Sequence, residues 1–299
     1  MDGVALVVGE SLVDVVEAAD GSVVERPGGS AANAAVALSR LERPVLLATS
    51  FGPDERGRLV SDHLAASDVV LATQPHVVAR TSVARARIDS SGGAWYDFDV
   101  AWHLGPVTIE DVRVLHVCSL APLLDPGAEV VWDLVDRLAA TAVVTYDLNL
   151  RPAITGTGPE VLARINRLIG RADLVKASEE DLAVLWPDLD EEHVVEHLRD
   201  LGSRNIVITK GAEGARWSWG RRFGDRVTVP ALPTEVVDTI GAGDTFGAGL
   251  IDALWDHLPA RLADLTVEDR TAALHHAAAC AAVTVSRVGA DPPRRTDLS

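Results

Sequence analysis

The residues best suited to chemistry form one segment, Val237-Asp238-Thr239-Ile240-Gly241-Ala242-Gly243-Asp244-Thr245-Phe246-Gly247-Ala248-Gly249, which opens onto a helical run. Gly241 and Gly243 let the backbone approach an anion with no Cβ in the way. A helix starting there aims its first free N–H groups and the positive end of its dipole at that anion. Asp244 at such a start can take the proton of a hydroxyl held against a terminal phosphate. Phosphoryl transfer needs little beyond that positioning and charge stabilisation. A lone aspartate at a helix start is more often an N-cap, with the glycines an ordinary turn. Against that stand Gly247 and Gly249 inside the helix. Each costs about 1 kcal/mol there, so close approach of a ligand or another element is expected.

A second segment, Pro27-Gly28-Gly29-Ser30-Ala31-Ala32-Asn33-Ala34-Ala35-Val36-Ala37-Leu38-Ser39-Arg40-Leu41, sends a Gly-Gly turn into a helix of small residues. Small residues suit tight helix–sheet packing. Alternatively, Gly29 and the amide of Asn33, which both donates and accepts, face vicinal hydroxyls of a ligand.

These segments need a scaffold, and the apolar pattern supplies one. Strand-like runs at 5–9, 45–49, 114–117, 142–146, 173–175 and 205–209 alternate with helix-like stretches at 30–41, 56–66, 126–140, 159–170, 191–201, 245–257 and 267–285. That rhythm predicts βαβ units around a parallel sheet covered on both faces. Two excursions, within 11–26 and 80–101, break it. The second reads as a hairpin around Ser90-Ser91-Gly92-Gly93, and together they predict a small antiparallel sheet that could serve as a lid. Residues 1–290 read as one α/β domain, and the polar end 291–299 as a frayed tail.

Composition removes other classes. The formal charge of −17 repels nucleic acid, while backbone amides and a metal ion can still hold a triphosphate locally. Cys118 and Cys280 fit neither a disulfide scaffold nor a zinc site and favour a reducing compartment. The start, MDGVALVVGE, lacks the pattern of a signal peptide, and no apolar run reaches membrane-spanning length. A cytoplasmic protein without membrane contact is expected. His193-Val194-Val195-Glu196-His197 matches an inverted zincin pattern but lies in an acidic amphipathic stretch with no third ligand, so a solvated helix face is expected. Neither Lys176 nor Lys210 precedes Ser or Thr, so no Walker A motif exists.

The two glycine segments resemble the signatures of the ribokinase-like (PfkB) family of carbohydrate kinases, and minor motifs between them follow the family order. Gly9-Glu10-Ser11-Leu12-Val13-Asp14 is similar to the opening strand, Gly52-Pro53-Asp54 with Gly57 to a Gly-x-Asp-x-x-Gly stretch, and Asp147-Leu148-Asn149-Leu150-Arg151-Pro152 to an Asp-x-Asn-x-Arg strand end. Thr209-Lys210-Gly211-Ala212-Glu213-Gly214 resembles a loop beside the nucleotide, and Arg287-Val288-Gly289-Ala290 the closing turn. The resemblance spans residues 6–290. It implies a mostly parallel core sheet with a β-lid, and MgATP as phosphoryl donor to a sugar. It makes Asp244 the base, with the backbone of Gly241, Ala242, Gly243 and Asp244 as anion hole. Asp14, Gly28, Gly29 and Asn33 then face the sugar, and Arg151 lies near the transferring phosphate. Lys176, Ser178, Thr209, Gly211, Gly214 and Gly243 border ATP. Asp238 and the Ile240 carbonyl match ligands of the monovalent cation, K⁺, that many members use. In some members the lid sheet pairs between subunits, so a homodimer through the lid is expected.

Two departures stand out. Where members carry Asn-x-x-Glu, this chain has Ser178-Glu179-Glu180-Asp181, which shortens the reach and leaves Asp181 to meet Mg²⁺ through water. Ala278 replaces an asparagine that lies near adenine in some relatives. Gly-Glu-Ser-Leu-Val-Asp and the lid residues Thr81, Ala84, Tyr96, Asp97 and Phe98 look closest to fructokinase-type members. Phe98 or Tyr96 either packs on a sugar face or stabilises the hairpin through cross-strand pairs. Nucleoside kinases and 2-keto-3-deoxygluconate kinases share both signatures, and a non-catalytic sugar or nucleotide sensor is the reading from another class.

Overall fold

Short aliphatic runs, too brief for helices, form the strands of a central sheet. The computed structural model describes residues 3–88, 94–220, 224–258 and 262–298. The first half contains β1 (Val4–Val8), β2 (Leu12–Glu17), β3 (Val23–Gly28), α1 (Ser30–Arg40), β4 (Val45–Ala48), α2 (Glu55–Ala65), β5 (Val70–Leu71), β6 (Ser82–Ile88), β7 (Ala94–Asp99), β8 (Val112–Cys118) and α3 (Gly127–Leu138). Then follow β9 (Val143–Asp147), α4 (Pro152–Thr155), α5 (Pro159–Ile169), β10 (Leu174–Ser178), α6 (Glu179–Leu185), α7 (Glu191–Leu201) and β11 (Asn205–Thr209). The chain closes with β12 (Ala215–Trp219), β13 (Arg226–Val229), α8 (Ala242–Ala253) and α9 (Val267–Val285).

The large sheet runs β13-β12-β11-β10-β9-β8-β1-β4-β5, parallel except where β12 and β13 turn back. Period-two alternation sorts its side chains between two cores. Ala5 and Val7 of β1 join the core under α1, α2, α8 and α9, whereas Leu6 and Val8 join the core under α3, α5, α6 and α7. The carboxyl ends of β1, β9, β10 and β11 lead into Glu10, Asn149, Glu179 and Lys210, where open α/β sheets place their ligands.

The second sheet, β3-β2-β6-β7, is small and separate as expected, but mixed rather than antiparallel. β2 pairs parallel with β6, so the two excursions join as one sheet, and β3 runs to Gly28, directly before α1. The turn expected at 90–93 lies outside the described residues. Asp54 explains the Gly-x-Asp-x-x-Gly stretch: its carboxylate caps α2 through Gly57 N–H and also accepts from the N–H and hydroxyl of Thr81, at the foot of lid strand β6. On β7, Tyr96 and Phe98 stack with centroids 6.5 Å apart.

Elements absent from the expectation are β5, β12, β13, α4 and α6, all short or interrupted by polar residues. The expected frayed end is tied down over 291–298. Arg295 bonds Asp252 on α8, Arg40 bonds Asp291, and Arg287 bonds Asp297. Among the described residues, no helix is long and apolar enough to cross a membrane.

Candidate active site

Gly241 sets the start of α8. Its φ of 76° and ψ of 0° lie in the left-handed region, which L side chains rarely adopt. The helix therefore begins at Ala242 rather than at 245. Gly241 supplies no side-chain cap, and helical geometry leaves the N–H groups of Gly243 and Asp244 without carbonyl partners. Gly243 is exposed, so this helix end is open to an anion.

Asp244 is not an N-cap. It lies in the first turn, is only 6% exposed, and turns its carboxylate to three side-chain donors. Oδ1 accepts from Ser30 Oγ at 2.7 Å and from Asn149 Nδ2 at 3.0 Å, and Oδ2 accepts from Asn33 Nδ2 at 2.8 Å. Asn149 Nδ2 also donates to Ser30 Oγ at 3.0 Å. The Gly-Gly turn thus delivers both Ser30 and Asn33, one helical turn apart on α1, to the first turn of α8. Gly29 is needed there: its φ is 104°, and a Cβ on it would stand 2.5 Å from the Glu10 carbonyl.

Asp14 projects from β2 near this cluster, and a Cβ on Gly28 would stand 2.4 Å from its Oδ2. Burial pushes the Asp14 carboxyl up to about 6, with Arg151 opposing and Asp244 reinforcing the shift. Glu10 is buried, accepts Ser30 N–H on Oε1, and is pushed up to about 7, chiefly by burial. Arg151 is exposed and donates to the carbonyls of Asn149 and Leu150, while its charge reaches Asp14 and Glu10. Phe98 is half-buried on the lid.

Thr209, Gly211 and Gly214 border an open loop after β11, with Gly211 exposed and Lys210 N–H bonded to the Gly214 carbonyl. The other expected nucleotide and metal residues are engaged differently. Ser178 and Asp181 form a capping box on α6, and Asp181 Oδ1 also accepts Leu150 N–H. Both Asp181 oxygens are thus committed to backbone donors, and the residue is buried. Among the described residues no three His, Cys, Asp or Glu cluster as a metal site. Asp181 is thus held by backbone donors at the start of α6. Lys176, expected beside ATP, is 5% exposed and bonded to Asp147. Ala278 is buried on α9. Asp238 accepts Ile240 N–H on one oxygen and Gly289 N–H on the other, bracing the glycine loop against the closing turn. A K⁺ ion there would share oxygens already bonded to backbone.

The model of the pfkB family carbohydrate kinases matches residues 4–297. The chain belongs to this family. It is 33% identical to a fructokinase from Rhizobium leguminosarum bv. trifolii over 261 residues, 82% of this chain and 78% of that one. The solved fructokinase from Xylella fastidiosa with bound ATP superposes with a TM-score of 0.85 at 26% identity, covering 99% of this chain and 95% of that one. A double-mutant fructokinase from Vibrio cholerae O395, in a form with fructose, ADP and potassium ion, gives 0.81 at 26% identity, with the same coverage.

In this pfkB-family kinase, sequence reading missed the roles of Ser30 and Asn149, which with Asn33 hold the Asp244 carboxylate. Their signal was present as a hydroxyl directly after Gly-Gly and an amide two residues past a strand-end aspartate. Neither residue type is unusual at a helix start or turn, and only the fold brings them to position 244.

Proposed function

We propose that this carbohydrate kinase transfers the γ-phosphoryl group of ATP to a hydroxyl of fructose, as its fructokinase relatives are named for doing. The observation that carries the reading is the Asp244 carboxylate, fixed by Ser30, Asn33 and Asn149 beside the open N–H groups of α8. Oδ1 takes two hydrogen bonds and Oδ2 one, so Oδ2 keeps a lone pair for an incoming proton. The sugar hydroxyl oxygen attacks the γ-phosphorus and its proton passes to Asp244 Oδ2. The bond from phosphorus to the β,γ-bridging oxygen breaks, and ADP leaves with that electron pair. The N–H groups at Gly243 and Asp244 hold the phosphoryl oxygens. Asp14 and the Asn33 carbonyl accept sugar hydroxyls, while Thr209, Gly211 and Gly214 border the nucleotide and Arg151 the phosphate. Magnesium bound to the triphosphate would neutralise part of its charge.

The test is ADP release with fructose, ribose, 2-keto-3-deoxygluconate, adenosine or no acceptor, with Mg²⁺ and with or without K⁺. Fructose is expected to give the highest kcat/KM. Acceptor-dependent release with none of them would sink the proposal. Stimulation by K⁺ is expected if Asp238 and the Ile240 carbonyl take a cation.

The lid has edge strands β3 and β7, on which Val23, Val24, Trp95 and Tyr96 are exposed. Uncovered apolar edges favour pairing, so a homodimer through the lid belongs to this reading. A monomeric sedimentation coefficient at micromolar concentration would overturn it.

A further inference from the structure

The sheet face under α8 carries polar side chains where period-two alternation leads one to expect apolar ones. Val114, Val143 and Leu174 begin three rows on that face, and His116, Thr145, Asp147 and Lys176 continue them. Lys176 Nζ donates to Asp147 Oδ2 at 2.7 Å, both side chains being almost wholly buried. The pair is incompletely satisfied: Asp147 Oδ1 is buried without a partner. His116 bonds Thr145 Oγ1 at 2.8 Å, and burial, then Lys176, pushes its imidazole down to about 3, so it stays neutral. Burial opposes the charge on Lys176, but Asp147, helped by Asp181 and Asp244, outweighs it and holds the ammonium protonated.

The ammonium lies directly against the anion site. A Cβ on Gly243 would stand 3.3 Å from Lys176 Nζ, and one on Gly247 would stand 3.7 Å from Asp147 Oδ2. Gly243 therefore faces solvent on one side and a buried positive charge on the other. A buried ion pair is weak support for stability, since apolar residues of similar volume often serve as well or better. Its placement calls for another explanation, and the charge nearest the glycine is the cation, with the carboxylate set one helical turn further along.

We infer that Lys176 is a positioning residue for phosphoryl transfer, a fixed positive charge behind Gly243 that acts on the transferred group through the helix start without touching it. This rests on the phosphoryl-transfer reading above. Negative charge that develops on the phosphoryl oxygens is stabilised by a charge that needs no reorganisation, and burial keeps water from screening it. The field adds to that of the helix dipole, which points the same way.

The experiment compares wild type, Lys176→Met and Lys176→Met/Asp147→Leu. The single variant leaves Asp147 buried and unpaired, and its Tm falls. The double variant removes both charges, so its Tm recovers towards wild type while kcat stays about 10–100-fold down, with KM for ATP and sugar within about threefold. Recovery of kcat along with Tm in the double variant would show a purely structural pair and overturn the inference. A second readout is independent of the sugar: ADP affinity by calorimetry with and without aluminium fluoride, a mimic of the phosphoryl group in flight. The fluoride-dependent gain shrinks at least tenfold in the double variant while ADP alone binds as in wild type. An unchanged gain would also overturn the inference. Absence of any gain in wild type would instead remove phosphoryl transfer at this site, and the inference with it.

Discussion

Asn33 Nδ2 donates to Asp244 Oδ2 at 2.8 Å across 211 residues of sequence, and the carbonyl oxygen of the same amide is buried with no partner. The bond fixes which way the amide faces, and in the proposed reaction the unpartnered carbonyl would accept a hydroxyl of the acceptor. In that reaction Asn33 would couple the base to the acceptor. Asn33→Ala is expected to lower kcat/KM for the sugar about 10–100-fold, the range for losing one hydrogen bond to a charged group. KM for ATP should hold. Equal losses on both substrates would place Asn33 in the scaffold rather than the site.

Asp244→Asn keeps the size of the side chain and removes the lone pair that would take the proton in the proposed reaction. Turnover is expected to fall by about 10²–10⁴ with ATP binding retained, which steady-state kinetics and calorimetry would show. Near-normal turnover would take the role of base away from Asp244.

Glu10 makes a pH prediction with a defined sign. Burial pushes its carboxyl from the ordinary 4.5 to about 7. Between these values the folded protein holds a proton that the unfolded chain has released. The contribution to stability is therefore full below pH 4.5 and lost as pH rises through 7. Glu10→Gln is neutral at every pH and escapes that loss. Its stability relative to wild type should improve between pH 5 and 8, by up to about 3 kcal/mol, as read by urea unfolding. A difference independent of pH would mean that Glu10 is ionised throughout.

Much of this fold follows from local pattern, because strands buried on both faces read as continuous aliphatic runs and amphipathic helices carry their own period. Helices 191–201 and 267–285 match their expected bounds. The misses have physical causes. β12 is Ala215–Trp219, where Arg216 pairs with glutamates of α7 and masks the strand pattern. Asp181 shows how far motif reading goes. The spacing from Ser178 that suggested a metal ligand is also the spacing of a capping box, and the fold shows that capping box. The C-terminal end looked loose by composition because Arg295 and Asp291 find their partners in Asp252 of α8 and Arg40 of α1, far away in sequence.

Gly247 and Gly249 look alike in sequence and differ in space. A Cβ on Gly249 would stand 2.9 Å from Ala277 Cα, so this glycine permits the close packing of α8 on α9. A Cβ on Gly247 would meet its nearest neighbours at 3.7 Å, an ordinary contact. Gly249→Ala should destabilise by about 1–3 kcal/mol through overpacking. Gly247→Ala should stabilise by about 1 kcal/mol through helix propensity. Opposite shifts in Tm would confirm the contrast, and shifts of the same sign would refute it.

At the far end of α8, Asp252 gathers the C-terminal segment. Its carboxylate is 1% exposed and accepts from Arg43 Nε at 2.5 Å, His276 Nε2 at 2.7 Å, and both Arg295 terminal nitrogens at 2.7 and 2.8 Å. Burial alone would raise this carboxyl, but the hydrogen bonds from His276, Arg295 and Arg43 outweigh it and hold it well below the usual carboxylate range. Asp252→Ala leaves two guanidinium groups facing a vacated buried position and should destabilise by about 3–5 kcal/mol. Arg295→Ala should cost clearly less, since Arg295 is partly exposed and Asp252 keeps Arg43 and His276. Eight residues of helix, about 12 Å, separate Asp252 from Asp244. The folded fraction of either variant should therefore keep the wild-type kcat. Urea midpoints and kcat measured on the same preparations would decide it. A wild-type midpoint for Asp252→Ala, or a kcat that falls with stability intact, would show that the clasp does something other than hold the chain end to α8.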